Sequence, residues 1–271
     1  GALAGPALAG GSVKDDPAPE GRKFTHSFNL GVTSDYVFRG FSQTREKPAM
    51  QGGIDLGYGI FYAGVWASML DFGDVAAGPD TGRTIATTEV DVYAGIKPVW
   101  GKFNFDLGAI YYAYPGAKDS FARHGIREFD YFELKFGVST TPVDKLTTGV
   151  TVFYSPEYTN KQGSVTTIEG AIAYELPKAW VFTPTIGGLL GASFGNFDAA
   201  KANPGFVAAN GEDSYLYWNA GLALTVEALT LDFRYWDTNI DNSGPVAATK
   251  FCNGAAFQCD ERFVFTAKVT F

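Results

Sequence analysis

The stretch RFVFTAKVTF, residues 262–271, alternates strictly between apolar side chains and a largely polar set. A period of two predicts a β-strand with one apolar face, because successive side chains of a strand point to opposite sides of the sheet. Ten residues are also about the length at which a tilted strand crosses a bilayer. Two interpretations of this stretch stay open, a membrane-spanning strand and the edge strand of a soluble sandwich. The apolar face carries Phe263, Phe265, Ala267, Val269 and Phe271.

The composition of the 271 residues favours the membrane interpretation. Aromatic residues make up 15% of the chain and charged residues only 18%, and aromatic girdles at two membrane interfaces would accommodate that excess. The sequence contains no run of about 18 or more apolar residues, which is the length that a membrane-spanning helix needs. A membrane protein with this sequence therefore has to be a closed barrel. The net charge of −8, without any compact basic run, argues against a nucleic-acid partner.

Alternation and turn signals predict twelve strands, and the lengths of their connections support a barrel. The connections alternate between short and long, as expected for tight periplasmic turns and longer external loops. We therefore predict an all-β, antiparallel up-and-down transmembrane barrel of about twelve strands, with both ends in the periplasm. The strands are placed at 24–34, 50–58, 61–69, 84–97, 102–113, 129–140, 146–154, 165–175, 181–194, 214–226, 229–236 and 262–271.

The amino-terminal segment differs in composition from the rest of the chain. Residues 1–11 are small and apolar and resemble the end of a secretory signal peptide, although a flexible Ala/Gly linker would look similar. Residues 12–23 are polar and contain two prolines. We predict that 1–23 is a signal-peptide remnant or a flexible periplasmic lead-in, and that 24–271 is a single outer-membrane barrel.

Two stretches resemble known outer-membrane proteins. The last strand resembles the carboxy-terminal strand of Gram-negative outer-membrane barrels, which implies that the barrel assembly machinery reads Phe271. Residues 34–43, Ser-Asp-Tyr-Val-Phe-Arg-Gly-Phe-Ser-Gln, resemble the signature of the TorF family of porin-like proteins. That resemblance implies a bacterial outer-membrane pore, surrounded by lipid and passing small solutes or ions; it implies no particular substrate and leaves the oligomeric state open.

Within this block, Asp35 and Arg39 share one parity, and we expect both to face the lumen if the first strand continues upward. Tyr36 and Phe38 would then face lipid. Residues four apart in a strand lie about 13 Å from each other, so the partners of Asp35 and Arg39 must come from neighbouring strands or an inward-folded loop. Either the two residues anchor a constriction near the pore mouth, or they belong to a salt-bridge belt that only holds the barrel.

Other charged residues on the inward parity are unevenly distributed. An acidic wall would face a basic one, and the small excess of acids predicts weak cation preference. Inward aromatic residues predict a narrow passage, either by filling space or by gripping a solute. The acidic wall comprises Asp55, Glu89, Asp91 and Asp106; the basic wall comprises Arg234, Arg262 and Lys268, with Asp232 among them; Glu133, Lys135 and Glu169 lie between; the aromatics are Tyr62, Trp66, Tyr93, Tyr112, Phe153, Tyr215, Tyr217 and Trp236.

The positions of the cysteines and histidines in the sequence argue against a metal site or a redox site. Cys252 and Cys259 could close a small ring in the last long loop, and an oxidising compartment favours a disulfide there. Only His26 and His124 could join them at a metal, and neither is close in sequence. We therefore expect no cofactor and a passive channel, not an enzyme. A structural barrel that binds a partner or lipid without conducting is the alternative, and a barrel enzyme is a more remote one.

Overall fold

A computed structural model of the protein describes residues 24–74, 81–117, 129–161, 163–195, 214–240 and 258–271. The predictions for residues 1–23, His124 and Cys252 lie outside these ranges and stay predictions. Within the described ranges the chain is almost entirely β, with a single 3-10 turn at Thr159–Lys161. The strands are β1 (Phe24–Thr33), β2 (Val37–Phe38), β3 (Phe41–Ser42), β4 (Ala49–Tyr58), β5 (Phe61–Met69), β6 (Thr88–Ile96), β7 (Val99–Trp100), β8 (Phe103–Ala113), β9 (Tyr131–Val143), β10 (Leu146–Ser155), β11 (Val165–Glu175), β12 (Thr183–Gly195), β13 (Ser214–Val226), β14 (Leu229–Thr238) and β15 (Arg262–Thr270).

Twelve long strands form a closed antiparallel ring in chain order, which confirms the predicted fold class. The ring closes where β15 pairs with β1, from Asn29 opposite Thr270 to Thr33 opposite Thr266. Reciprocal backbone hydrogen bonds of 3.0 and 2.9 Å between Phe28 and Phe271 extend this seam by one more pair. Closure leaves no unpaired sheet edge, which is the condition for a sheet to sit in lipid.

The three short strands stand apart from the twelve. β7 pairs with the start of β8 inside one turn, and β2 pairs with β3 to form a separate hairpin. The long connections follow β1, β5, β8, β10, β12 and β14, so all of them lie at one end of the ring. We call this end external and the opposite end periplasmic, because outer-membrane barrels carry their longer loops outside.

The apolar parity of the strands points outward. Phe28, Leu30 and Val32 on β1 are 46%, 52% and 50% exposed, as their alternation predicted. On β15 the phenylalanine face is also exposed, from Phe263 to Phe271. An outer surface of large apolar side chains on a closed ring is suited to lipid contact and would be unfavourable in water.

Tryptophan residues mark the periplasmic turns. Trp100 and Trp180 are 79% and 85% exposed, as expected for an interfacial girdle. Pro184, which falls inside a predicted strand, is the second residue of β12. It therefore lies at the periplasmic end of its strand, where it disrupts the ladder least.

Candidate functional site

The first external connection folds into the lumen. After β1 ends at Thr33, β2 and β3 pair through Val37 with Ser42 and Phe38 with Phe41. We call residues 34–44 the crossing hairpin. Its turn holds Arg39 and Gly40 at φ 49° and 88°. A Cβ at Gly40 would also clash with the side chain of Thr238, so the turn requires glycine for both backbone freedom and space.

The tip of the crossing hairpin binds β9 through a buried ion pair. Both terminal nitrogens of Arg39 donate to the carboxylate of Glu133 at 2.8 Å, and the two side chains are only 2% and 1% exposed. The hydroxyl of Tyr112 donates to the same carboxylate at 3.1 Å. Two parallel hydrogen bonds fix the planar guanidinium in one orientation. The charge of Arg39 is therefore already neutralised and is not offered to a passing anion.

Phe38 and Phe41 of the hairpin pack against different walls. The ring of Phe38 lies 6.0 Å from that of Tyr112, in a cluster built mainly by β5, β6, β8, β9 and β10. The ring of Phe41 lies 5.2 Å from Tyr215 in a second cluster that includes β12 and β13. The Tyr215 hydroxyl also donates to the Arg39 carbonyl at 3.2 Å. The hairpin thus spans the lumen from one wall to the other.

The base of the hairpin is organised around Asp35. One carboxylate oxygen accepts hydrogen bonds of 2.7 Å from the hydroxyls of Ser42 and Thr44. The other oxygen accepts from a terminal nitrogen of Arg262 on β15 at 3.1 Å. In addition, the amide of Ser42 donates to the Gln258 carbonyl at 2.8 Å. The first loop is therefore tied to the last strand.

β1 does not continue upward, so Tyr36 and Phe38 do not take the lipid-facing positions that such a continuation would give them. Tyr36 is buried and donates to Glu89 at 2.6 Å, while Phe38 packs inside. Ser34 makes the last backbone contact with β15, and the Ser, Asp and Thr side chains beyond it hydrogen-bond one another locally. Such side chains give the backbone hydrogen-bond partners other than those of the strand pairing. Burial of the Tyr36 and Phe38 rings stabilises the inward conformation further. The expectation that partners of Asp35 and Arg39 come from other strands is met by Arg262 and Glu133.

The outer arm of the same connection is held at Asp71. Lys47 and Arg45 contact the Asp71 carboxylate at 2.9 and 3.5 Å, and the Gly73 amide donates to it at 2.9 Å. Partial burial alone would raise the pKa of Asp71, but the Lys47 ammonium, the Gly73 amide and the Arg45 guanidinium together lower it. The deprotonated carboxylate is therefore the form that holds this arm.

The other predicted lumen residues divide into two layers. The layer nearer the external end is buried, and the layer nearer the periplasmic end is partly exposed, so the lumen is most tightly filled where the hairpin crosses it. In the partly exposed layer, Lys135 pairs with Asp106 at 2.6 Å, and Arg234 pairs with Asp232 at 2.8 Å. The buried layer holds Glu89, Asp91, Glu133 and Glu169; the partly exposed layer holds Asp55, Asp106, Lys135, Asp232, Arg234 and Lys268.

Phenol–carboxylate pairs recur around the lumen. The sequence suggested neither these pairs nor the glycines beneath them. The pairing register of the strands would have revealed them, since Gly64 lies opposite Tyr93 and Gly191 lies opposite Tyr217 on the neighbouring strand. A Cβ at either glycine would clash with the facing ring. The pairs join Tyr36 to Glu89, Tyr62 to Asp106, Tyr93 to Asp55, Tyr112 to Glu133 and Tyr217 to Glu169.

These pairings bear on the predicted opposed acidic and basic walls. Arg234, Arg262 and Asp106 each have an opposite charge at contact distance, which reduces the field they project. Among the described residues, Asp55, Glu89 and Glu169 form no ion pair. The predicted transverse field is thus replaced, in part, by local neutralisation with a residual acidic contribution.

The histidine and the cysteine of the described ranges lie apart from one another. No group of three or more His, Cys, Asp or Glu side chains there is arranged to hold a metal ion. His26 is exposed and lies between the rings of Phe24 and Phe28, on the outward parity. Cys259 is buried, while Cys252 lies beyond the described ranges, and the disulfide stays a prediction. In the ranges that the structure covers, no helix is long and apolar enough to cross a membrane.

Comparison with solved structures gives porin barrels at low sequence identity. One is described as "NanC porin structure in rhombohedral crystal form", with a TM-score of 0.52, 11% identity, and coverage of 91% of this chain and 99% of that one. Another is described as "KdgM porin", with a TM-score of 0.52, 11% identity, and coverage of 90% and 99%. At this identity the likeness concerns the fold. The protein shares with them the fold of a closed β-barrel, and its apolar exterior is that of a membrane-spanning barrel.

Comparison with sequences identifies the family but supplies no activity. No curated protein matches the chain. A family model described as "Bacterial protein of unknown function (Gcw_chp)" matches residues 18–271, which include all twelve barrel strands and the crossing hairpin. The chain therefore belongs to this Gcw_chp family of bacterial proteins of unknown function.

Proposed function

We propose that the protein is a narrow, passive outer-membrane channel for small polar solutes or ions, with a constriction formed by the crossing hairpin. The observation that carries the proposal is the contact of Arg39 with Glu133 inside a closed ring whose periplasmic half keeps partly exposed charged side chains. A polar interior with partly exposed charges is what a water-filled passage requires. The family resemblance read from residues 34–43 supports the same conclusion.

We further propose weak cation preference. Asp55, Glu89 and Glu169 have hydroxyl partners but no ion pair among the described residues. Among the described lumen residues of the predicted set, Lys268 is the basic residue that forms no ion pair. The residual charge of the lumen is thus negative, and such a charge raises the local concentration of cations.

The test is planar-bilayer recording on the purified, folded protein. We expect small unitary conductance steps and a reversal potential on the cation-selective side of zero in a salt gradient. Liposome swelling with neutral solutes of increasing size would then give the size limit. The absence of channel events from a correctly folded protein would exclude conduction, and a clear anion preference would exclude the proposed selectivity.

The packed external half favours one other function. Two clusters of aromatic and aliphatic side chains, together with the hairpin, fill this half of the lumen. A barrel that binds an envelope partner or lipid without conducting would have such an interior. A folded protein that gives neither channel events nor swelling would favour this second function. In both cases we expect Phe271 to be read by the barrel assembly machinery.

A further inference from the structure

We propose that Arg262 is a positioning residue, which holds the crossing hairpin across the lumen through Asp35. The last strand of the barrel would then set the width of the constriction that the first loop forms. The proposal rests on the proposed function only for its conductance readout. The positioning itself concerns the conformation of the hairpin and can be measured without any conduction.

Asp35 connects both arms of the hairpin to β15. Its first oxygen receives the hydroxyls of Ser42 and Thr44, which belong to the returning arm. Thr44 in turn accepts a hydrogen bond of 3.1 Å from the amide of Tyr36 on the outgoing arm. The second oxygen of Asp35 is held by Arg262. A single carboxylate thus connects both arms to the guanidinium.

The Arg262 side chain is also held by hydrogen bonds that do not involve Asp35. Its Nε and one terminal nitrogen donate to the Asp260 carbonyl at 3.0 and 2.9 Å. The other terminal nitrogen remains for Asp35 at 3.1 Å and for Glu46 at 3.5 Å. The guanidinium is therefore oriented by the backbone that leads into its strand. Little side-chain entropy remains to be lost when it binds the hairpin.

Burial makes this contact stronger than an exposed ion pair. The side chains of Arg262 and Asp35 are 8% and 6% exposed, whereas Glu46 is 52% exposed. An ion pair shielded from water is screened little by salt. If Arg262 loses its charge, Asp35 is left nearly buried without a counterion, and this costs more than the lost contact itself. The carboxylate would turn toward water, and Ser42 and Thr44 would lose their shared acceptor.

Hydrogen–deuterium exchange of the full chain in detergent tests the positioning directly. The amides of Tyr36, Ser42 and Gln43 all donate hydrogen bonds that depend on the ordered hairpin. We expect Arg262→Gln to raise their exchange rates by about tenfold, with no change in the barrel strands. Arg262→Lys should restore slow exchange in part, since it keeps the charge but not the planar fork. Asp35→Asn, which is nearly isosteric, should reproduce the effect from the other side.

Lys145→Asn provides the control. Lys145 pairs with Glu175 at 3.8 Å in a periplasmic turn and touches no part of the hairpin. It has φ 65°, a conformation that asparagine tolerates. Its removal deletes a positive charge of the barrel, yet exchange at residues 36–43 should stay as in the wild type.

The outcomes separate the positioning role from general stability and from conduction. Unchanged hairpin exchange in folded Arg262→Gln and Asp35→Asn would overturn the proposal. Uniformly faster exchange over all strands would also overturn it, because it would reveal a role in barrel stability alone. If hairpin exchange rises selectively while no variant conducts, the positioning stands and the channel function fails. If the protein conducts, the same variants should show larger and noisier unitary currents.

Discussion

Arg39 and Glu133 are 94 residues apart in the chain, yet they share two hydrogen bonds of 2.8 Å across the lumen. The guanidinium also lies over the rings of Phe38 and Phe153, at 4.7 and 5.0 Å from their centroids. The ion pair is enclosed by aromatic side chains and shielded from water. Its energetic role is therefore closer to that of a buried pair than to that of a surface salt bridge.

Replacing one partner of this pair should be costly. We expect Arg39→Met to lower the free energy of unfolding by about 3–5 kcal/mol, because Glu133 would remain buried without a counterion. The double variant Arg39→Met, Glu133→Gln should recover much of that loss. Urea unfolding in lipid vesicles gives both values. A loss in the double variant equal to the sum of the losses in Arg39→Met and Glu133→Gln alone would show that the pair contributes no coupling energy.

Glycine at position 191 should be required by the facing tyrosine. A Cβ there would clash with the ring of Tyr217, and we expect Gly191→Ala to cost about 1–3 kcal/mol through overpacking. Gly170→Ala on the adjacent strand is the matched control, since a Cβ at Gly170 has nothing within 4 Å. The two variants can be compared in the same unfolding assay. Similar losses for both would argue against the ring contact as the cause.

The outer arm of the first loop should loosen in acid. The pKa of Asp71 is lowered in the folded protein, so its contribution to stability is complete above the unfolded value, near pH 4. That contribution is lost as the pH falls through the lowered folded pKa. We expect residues 45–47 to become more accessible to an acid-active protease below about pH 4. Asp71→Asn should show the same accessibility at neutral pH and little further change in acid.

Selectivity should depend on the acids that lack an ion pair. We expect Asp55→Asn to reduce the cation-to-anion permeability ratio, roughly twofold, because it removes a fixed negative charge from the partly exposed layer. Asp106→Asn is the comparison, since Asp106 is already paired with Lys135. Its removal leaves Lys135 without this counterion, so we expect the reversal potential to shift toward anions in this variant as well. An unchanged reversal potential in both variants would exclude this layer as the selectivity determinant.

The twelve strands were predictable because each keeps one parity apolar over its whole length. A period of two combined with proline and glycine in the turns leaves few alternatives, and the bounds of β5, β11 and β13 agree with the predicted ranges. Strand ends were predicted less well, since β6 begins at Thr88 and not at the predicted residue 84. Alternation cannot distinguish the end of a strand from the loop that continues it.

The crossing hairpin was not predictable by the same reasoning. Tyr36 and Phe38 keep the apolar parity of β1, and Asp35 and Arg39 keep the polar parity. The local pattern therefore gives no sign that the chain turns inward. What turns the chain inward are acceptors and rings on strands far away in sequence, such as Glu89, Glu133 and Tyr215. These positions become neighbours only once the ring is closed. The parity of each strand separates the inward charges from the outward apolar residues, but their pairing required the three-dimensional register.

The anchoring of the hairpin also bears on permeability during biogenesis. Its contacts come from β6, β9, β13 and β15, so the obstruction can be complete only after the last strand has joined the first. A sheet that inserts before this point is still open and lacks the barrier. Leakage through the envelope would then report unfinished assembly, and the finished protein would be the less permeable of the two forms.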